Sequence, residues 1–262
     1  MPAGFLDRIG FLIEKYGSLI LQGAGTTILI AVLGTIIGFI IGTLVAIVRT
    51  IPIQSKDNIF KKVLLRVARG ILTAYVEVFR TTPMIVQAMV IYYGSMQLLG
   101  IDMSPLFAGI FVISINTGAY MAEIVRGGII SIDVGQTEGA QSIGMTHWQT
   151  MLHVVMPQAI RNIMPSIGNE FVINIKDSSV LSVISVTELF FITKSAAGTF
   201  ATYFEPAAIA CAIYFIINFT ITRILLKIEK KMDGPDSYVI GGSQNMTAEE
   251  IKLLKKKTEG KK

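Results

Sequence analysis

Charged residues are scarce in this chain of 262 residues: Asp, Glu, Lys and Arg make up 16% of it, whereas hydrophobic residues make up 52%. A soluble domain of this length needs more charge on its surface, so the composition argues against a soluble enzyme or binding domain. The one cysteine, Cys211, lies in an apolar run and cannot form an intrachain disulfide, which indicates a packing residue. The two histidines, His147 and His153, do not make a metal site by themselves.

Several catalytic motifs are missing as well. The sequence has no GxxxxGK[ST] loop for binding phosphates, no HExxH, no GxSxG and no cluster of Cys and His. We therefore expect a chain that does no covalent chemistry and holds neither a metal nor a cofactor. The net charge of +5 comes from basic residues beside apolar runs, where they indicate membrane topology rather than binding of nucleic acid.

What the sequence does have is long runs without charge: Gly17 to Val48, Thr81 to Ile101 and Met103 to Ala122. A helix needs roughly 20 apolar residues to cross the hydrocarbon core of a bilayer. The first run is too long for the core of a signal peptide, so we expect it to be retained. The sequence therefore predicts an all-α polytopic membrane protein.

The distribution of basic residues predicts five transmembrane helices. They are placed within residues 17–48, 83–101, 105–124, 157–175 and 206–222. Basic residues are frequent just after the first run, so that segment is predicted to be cytoplasmic, with the N-terminus outside and the C-terminus cytoplasmic. Residues 60–79 are amphipathic and are predicted to lie along the inner interface. Residues 178–193 are apolar but short, and are predicted to be partly embedded or external rather than crossing.

Three parts of the chain follow from this count. They are an N-terminal extracytoplasmic segment at residues 1–16, a transmembrane domain at 17–231 with a cytoplasmic loop at about 134–156, and a polar cytoplasmic tail at 232–262. In the first span, Gly34, Gly38 and Gly42 share one helix face. Small residues at this spacing let two membrane helices approach closely, although chance in a glycine-rich segment is the alternative.

The cytoplasmic loop contains the stretch EGAQSIGMTHWQTMLHVVMP, which begins at Glu138. Its polar residues alternate with Ala140 and Ile143, which is typical of a short helix on a surface. Gly144 is predicted to end this helix, and Pro157 to begin the next span, where a missing N–H costs little. Such a helix can dock in a groove of another protein.

The same stretch resembles the EAA signature of bacterial ABC importer permeases. The pattern Glu-x-Ala-x-x-x-Gly, nine residues, aliphatic-x-aliphatic-Pro is carried here by Glu138, Ala140, Gly144, Val154, Met156 and Pro157. In that family the loop is the coupling helix that docks into the ATPase. The resemblance implies a coupling set of Glu138, Gly139, Ala140, Gly144, Met145 and Pro157. Gly139 stands where the family usually has a second Ala, which loosens the helix by roughly 1 kcal/mol.

Three further blocks resemble the permeases for polar amino acids: Tyr75–Gly94, Ile115–Ile129 and Pro157–Leu189. The first resembles the block around Arg-Gly-Thr-Pro, with Thr81 where Gly is usual. The resemblance covers residues 17–228 and implies a type I ABC importer permease fold. It implies a multi-pass protein of the bacterial inner (cytoplasmic) membrane that forms the translocation pathway of an ATP-driven amino acid importer.

The resemblance also implies the partners. They are a dimer of ABC ATPase subunits that binds ATP and Mg, an extracytoplasmic amino-acid-binding protein, a second permease subunit that is identical or paralogous, and membrane lipid. The alternatives left open are an ion-driven secondary amino acid transporter and a membrane assembly subunit that transports nothing. A secondary transporter is expected to show an internal repeat, and none is evident.

Ionisable residues within spans are costly and usually face a protein interior or water. The predicted pathway residues are Asn116, Glu123, Asn169, Glu170 and Asn174. Glycine and proline near Glu170 predict a helix interrupted at mid-depth, which can bind a zwitterion. The alternatives are structural: Glu170 paired with a cation from elsewhere, and Glu123 paired with Arg126 at i+3.

Three more charged residues are candidates for a gate or an interface. Arg80 is predicted either to pair locally with Glu77 or to act at a gate or between permease subunits. Lys176 and Asp177, predicted at the outer end of the fourth span, either contact the binding protein or mark the membrane interface.

Overall fold

The structure is a computed structural model that describes residues 2, 4–53 and 58–233, and the regular structure in this part of the chain is helical. Its elements are α1 (Phe5–Thr50), α2 (Ile59–Thr81), α3 (Met84–Leu99), α4 (Pro105–Ile130), α5 (Val134–Ser142), α6 (His147–Thr150), a π-helical turn (Met151–Val155), α7 (Met156–Asp177), a 3-10 helix (Ser178–Ile184), α8 (Leu189–Phe200) and α9 (Phe204–Asp233). The predicted tail at 232–262 lies outside the described residues from 234 onwards.

Local sequence signals explain where several helices begin and end. The hydroxyl of Ser104 accepts a hydrogen bond from the backbone N–H of Phe107, and Pro105 follows it in the first turn of α4. At the end of α3, Gly100 adopts the left-handed conformation with φ 66°. These signals place the turn between α3 and α4 where the charge pattern predicted it.

The glycine row of α1 packs against α4, which confirms the predicted close approach and identifies the partner helix. A Cβ built on Gly34 would lie 2.6 Å from Ile113 Cγ2, and one on Gly38 would lie 2.8 Å from Thr117 Cβ. One on Gly42 would lie 2.4 Å from Met121 Cβ. Because the contacted residue advances by four whenever the glycine does, α1 and α4 run parallel.

Helix α7 completes the core of the bundle and runs antiparallel to α4. Near the start of α7, Ile163 packs so closely on Gly128 that a Cβ there would lie 2.4 Å from Ile163 Cγ2. Near its end, Asn174 is hydrogen bonded to Thr117. Contacts therefore move backwards along α4 as α7 advances, so these two helices point in opposite directions.

The helices account for only some of the five predicted membrane crossings. Three helices of the described chain, α1, α4 and α9, are long and apolar enough to cross a membrane. A fourth crossing is possible if His147–Ile184 and Leu189–Phe200, which are bent by 49° at the break, act as one span. Helix α3 is apolar but has only 16 residues. The count of five therefore stays a prediction.

Two segments that the sequence analysis set apart pack against the rest of the chain. Of the two alternatives left for residues 178–193, the external one does not fit, because Leu181, Ile184 and Leu189 are fully buried. This segment continues the chain of α7 inside the bundle. Residues 5–16, predicted as part of an extracytoplasmic segment, form the first turns of α1 and pack on α8, with the rings of Phe11 and Phe200 edge to face at 5.4 Å.

Candidate functional site

The predicted cytoplasmic loop folds into two short helices held by their own caps. The carboxylate of Asp133 accepts a hydrogen bond from the N–H of Gly135 at 2.7 Å and caps α5. Gly144 then turns the chain with φ 87°, a conformation that favours glycine. Thr146 and Gln149 form a capping box at the start of α6. The break that Gly144 was predicted to make is therefore present.

This loop presents polar and apolar side chains outward together. We define the α5–α6 surface as the exposed residues Val134, Glu138, Ile143, Trp148 and Leu152. Gly139 is exposed as well, whereas Ala140 is 6% exposed and anchors α5 to the body of the protein. Exposed large apolar residues rimmed by polar ones are typical of a surface that contacts another protein or a membrane.

The remaining residues of the predicted coupling set support this surface. Met145 is half-buried and its N–H donates to the carbonyl of Ala140 at 3.2 Å, which closes the turn between the two helices. Pro157 is exposed in the first turn of α7. The sequence analysis did not include Ile143 and Trp148 in the coupling set, although two large apolar residues on a predicted cytoplasmic loop were a usable signal.

A buried polar network joins the three core helices. The side-chain oxygen of Asn174 accepts from the Thr117 hydroxyl at 2.9 Å, and its amide donates to the Thr35 hydroxyl at 2.8 Å. Asn174 is 3% exposed. Both ends of its amide are thus engaged between α1, α4 and α7, so we assign Asn174 to helix packing rather than to the predicted pathway.

Asn116 belongs to a second network, at the break between α2 and α3. Its amide donates to the carbonyl of Phe79 at 3.1 Å and to the side-chain oxygen of Gln87 at 2.9 Å. Gln87 in turn donates to the carbonyl and the hydroxyl of Thr82 at 2.9 and 2.8 Å. Pro83 ends α2, and these two side chains bind carbonyl groups that the break leaves free. Gln87 was not identified from the sequence.

Glu123 is held by two arginines at the end of the bundle next to the α5–α6 surface. One carboxylate oxygen lies 2.5 Å from Arg49 of α1, and the other lies 2.8 Å from Arg126. The local pair with Arg126 that the spacing allowed is therefore present. Since Glu123 ties α1 to α4 through a doubly paired carboxylate, its geometry indicates a structural role rather than the predicted pathway lining.

Glu170 has a different environment. It is 8% exposed, and in the described part of the chain it has no salt-bridge partner, neither Arg161 nor Lys176. Among the described residues, the charges of Asp177, on the same helix, and of Arg80, at the end of α2, act electrostatically on the Glu170 carboxylate. The predicted interruption of the helix around Glu170 is wrong, because α7 continues through Pro165 to Asp177.

One face of α7 is exposed and polar beside Glu170. Asn162, Ser166, Asn169 and Lys176 are exposed, and helical spacing places them in a row along the helix. Arg80 is exposed at the end of α2 with its guanidinium 5.5 Å from the centre of the Tyr120 ring. Among the described residues Arg80 forms no salt bridge with Glu77, so the local pair is not observed.

The position of Lys176 and Asp177 differs from the prediction. Thr35, the partner of Asn174, lies near the middle of the uncharged run of α1. Asn174 lies within one turn of Lys176 and Asp177, so α7 ends inside the bundle rather than at the outer end of a span. The chain goes on from there through the 3-10 helix and α8.

Glu188 is a buried carboxylate that the sequence analysis missed, because residues 178–193 were not placed inside the bundle. It is 0% exposed and accepts hydrogen bonds from the N–H groups of Phe190 and Phe191 at 2.9 and 2.6 Å. The hydroxyl of Tyr214 donates to it at 2.8 Å. Glu188 thus caps α8 and joins α9 to the bend that precedes α8.

Comparison with known proteins gives a consistent result. The sequence model of the family described as "Binding-protein-dependent transport system inner membrane component" matches residues 62–234. The chain is 32% identical over 250 residues to the nopaline transport system permease protein NocM of Agrobacterium fabrum, covering 92% of this chain and 98% of that protein. It is 36% identical over 170 residues to the glutamine transport system permease protein GlnP of Escherichia coli, covering 63% and 76%.

Solved structures agree with the sequence relatives. The fold matches the crystal structure of an amino acid ABC transporter with histidines at a TM-score of 0.74 and 35% identity, covering 88% of this chain and 100% of that one. It also matches an inward facing conformation of the MetNI methionine ABC transporter at a TM-score of 0.70 and 17% identity, covering 84% and 98%. At 17% identity, the second match supports a shared fold and nothing more.

Proposed function

The chain belongs to the family of inner membrane components of binding-protein-dependent transport systems, and from this premise we propose that it is a permease subunit of an ATP-driven amino acid importer. The named relatives transport amino acids or their derivatives, which supports this substrate class. The chain is a multi-pass membrane protein with a type I ABC permease fold. ATP and Mg are then bound by a separate ATPase subunit.

Five crossings with the N-terminus outside remain our proposed topology. The parallel course of α1 and α4 supports it, because two parallel spans require one crossing between them. Helix α3, extended by the end of α2, would supply that crossing. The antiparallel α7, together with the 3-10 helix and α8, would form the fourth crossing, and α9 the fifth.

We propose that the α5–α6 surface docks into the ATPase. The observation that carries this proposal is the exposure of Ile143, Trp148 and Glu138 on a pair of capped helices that follows α4 and continues into α7. A rigid, capped helix transmits a displacement better than a flexible loop does. Movement of the ATPase subunits would then rotate α4 and α7 together.

The proposed substrate pathway runs along the polar face of α7 and past the break between α2 and α3. Glu170 offers a carboxylate to the ammonium of an amino acid, and Arg80 offers a guanidinium to its carboxylate. Asn169 adds an exposed amide on the same helix. Lys176 and Asp177 lie one to two turns further along α7, where they would act as a gate or an interface of this pathway.

The exposed polar row of α7 also supports a second permease subunit. Amide and charged side chains on a membrane helix are costly in contact with lipid, so they face water or protein. A second subunit facing α7 would close the pathway between the two copies. The extracytoplasmic binding protein would deliver the amino acid to the opposite end from the α5–α6 surface.

The test is ATPase activity and uptake in proteoliposomes that contain the permease, its ATPase and the binding protein, with a panel of amino acids. Stimulation by one class of amino acid would support the importer and identify the substrate. Transport that requires an ion gradient but no ATP would favour the secondary transporter. An intact complex with loaded binding protein but no stimulation would favour the assembly subunit.

Two variants test the residues. Glu138→Arg is expected to uncouple ATP hydrolysis from uptake, and normal uptake in an intact complex would contradict this role. Glu170→Ala is expected to lower or redirect uptake without loss of assembly, because α7 loses its buried carboxylate. Unchanged uptake across the panel would return Glu170 to a structural role. Glu14→Ala, at an exposed residue of α1, removes the same charge as Glu170→Ala and is the matched control for that variant.

A further inference from the structure

The first half of α2 has an apolar face that nothing in the described chain covers. Its side chains Ile59, Phe60, Val63, Leu64 and Val67 are between 53% and 78% exposed. At 100° per residue these five positions fall within one side of the helix. Helix α2 is nevertheless not among the helices apolar enough to cross a membrane. The first half of α2 is therefore amphipathic, and it fits surroundings that offer an apolar region next to a polar one.

Basic residues flank this apolar face. Lys61 and Arg66 are exposed, and the helical spacing places them on opposite sides of the face, about 130° and about 90° from its centre. Lys62, on the same side as Arg66, lies as far from the centre as Lys61, and Arg69 lies further round the helix. Long cationic side chains at the edges of an apolar face can reach the phosphates of lipid headgroups while the apolar residues enter the acyl region.

The depth of the helix agrees with such a partner. Arg69 donates to the carbonyl of Ile51, just after the end of α1, so this part of α2 lies level with the cytoplasmic end of the first span. Further along, the Tyr75 hydroxyl donates to the carbonyl of Ile115 at 2.7 Å, inside the bundle. The helix thus passes from the end of the bundle into its interior, and its first half begins at the end of the bundle where α1 ends.

We propose that residues 59–67 of α2 form an interfacial helix that binds anionic phospholipids of the cytoplasmic leaflet. The apolar face enters the acyl region, and Lys61 and Arg66 bind headgroup phosphates. An anionic headgroup is favoured over a zwitterionic one because the edges of this face carry positive charge on both sides. The proposal rests on the position of the helix and not on the identity of the transported amino acid.

The test uses the full-length permease in nanodiscs of phosphatidylcholine that contain a small fraction of spin-labelled phosphatidylglycerol or spin-labelled phosphatidylcholine. The native protein is expected to immobilise the phosphatidylglycerol label preferentially. Arg66→Gln and Lys61→Gln are each expected to lower that preference by roughly fivefold, the effect of one Lys or Arg near an anionic surface. The preference is also expected to fall at 1 M salt, where the Debye length is about 3 Å.

Lys194→Gln removes the same charge from α8 and is expected to keep the preference of the native protein. Equal immobilisation of both labels by the native protein would overturn the proposal. An equal fall in Arg66→Gln and Lys194→Gln would overturn it too, because the attraction would then come from net charge alone.

A second measurement reports where the apolar face lies. Val63→Cys in a Cys211→Ala background takes an environment-sensitive fluorophore, which brominated acyl chains are expected to quench. Quenching by aqueous iodide instead would place the helix in water and contradict the proposal. Protection from both quenchers would mean that a second protein copy covers this face, which would contradict it as well.

Discussion

Substitution of Gly42 by alanine tests the closest contact in the bundle. A Cβ at this position would lie 2.4 Å from Met121 Cβ and 2.7 Å from both the Ala122 nitrogen and the Met121 carbonyl carbon. Carbon atoms pack best at about 3.5–4.0 Å, so α1 and α4 would have to separate by about 1 Å. Since two of the three contacted atoms belong to the backbone, a change of rotamer at Met121 cannot relieve the clash.

The matched control is Gly25→Ala in the same helix, where an added Cβ meets nothing within 4 Å. Alanine is favoured over glycine in a helix by about 1 kcal/mol, and both variants share this gain. Overpacking costs about 1–3 kcal/mol. The free energy of unfolding of Gly42→Ala is therefore expected to be lower than that of Gly25→Ala by about 1–3 kcal/mol.

The assay is titration of the purified permease with a denaturing detergent, followed by far-UV circular dichroism. Equal stability of the two variants, within about 0.5 kcal/mol, would refute the inferred contact between α1 and α4. A loss of stability in both variants would mean that the glycines serve a purpose other than close packing.

The same titration checks three further expectations. Glu188→Ala is expected to lower the free energy of unfolding by about 3 kcal/mol, because buried donors of α8 and Tyr214 lose their acceptor. Glu188→Gln keeps an acceptor oxygen and is the control, so equal losses of stability in the two variants would contradict this. Asn174→Leu is expected to cost about 1 kcal/mol, typical of a hydrogen bond between membrane helices, and a stabilised variant would argue against the network. Arg49→Gln should cost less than about 1 kcal/mol if Arg126 continues to hold Glu123, and a much larger loss would mean that Arg49 is essential to the ion pairs.

Much of the helical architecture could be predicted because it depends on periodicity and on local signals. The amphipathic segment at 60–79 became α2, the span at 105–124 became α4, and the break at Gly144 appeared as a left-handed turn. Residues 178–193 could not be assigned in the same way. Their short apolar run between charged residues fits an external loop and a buried broken helix equally well, and only the packing of Leu181 and Ile184 decides between them.

The candidate site shows the same division. The loop from Glu138 to Pro157 resembles the coupling element of a known family, which makes coupling a prediction, and the structure adds the apolar residues exposed beside Glu138. Spacing could also show that Glu123 and Arg126 can pair, because that pair is local to one helix. It could not show that Arg49 joins them, or that Gln87 binds the carbonyls at the α2–α3 break, because those partners are distant in the sequence.

By itself the sequence determined that this is a membrane protein. It also determined which segments are helical and which loop resembles a coupling helix. Each of these depends on composition or on residues within a few turns of one another. The tertiary structure alone decided which polar residues are engaged by neighbouring helices. Asn174 and Glu170 lie four residues apart on α7, yet Asn174 is enclosed by Thr35 and Thr117 whereas Glu170 has no salt-bridge partner in the described chain. The difference lies in which neighbouring helices each side chain meets, because a polar group is satisfied or left available by partners from other helices.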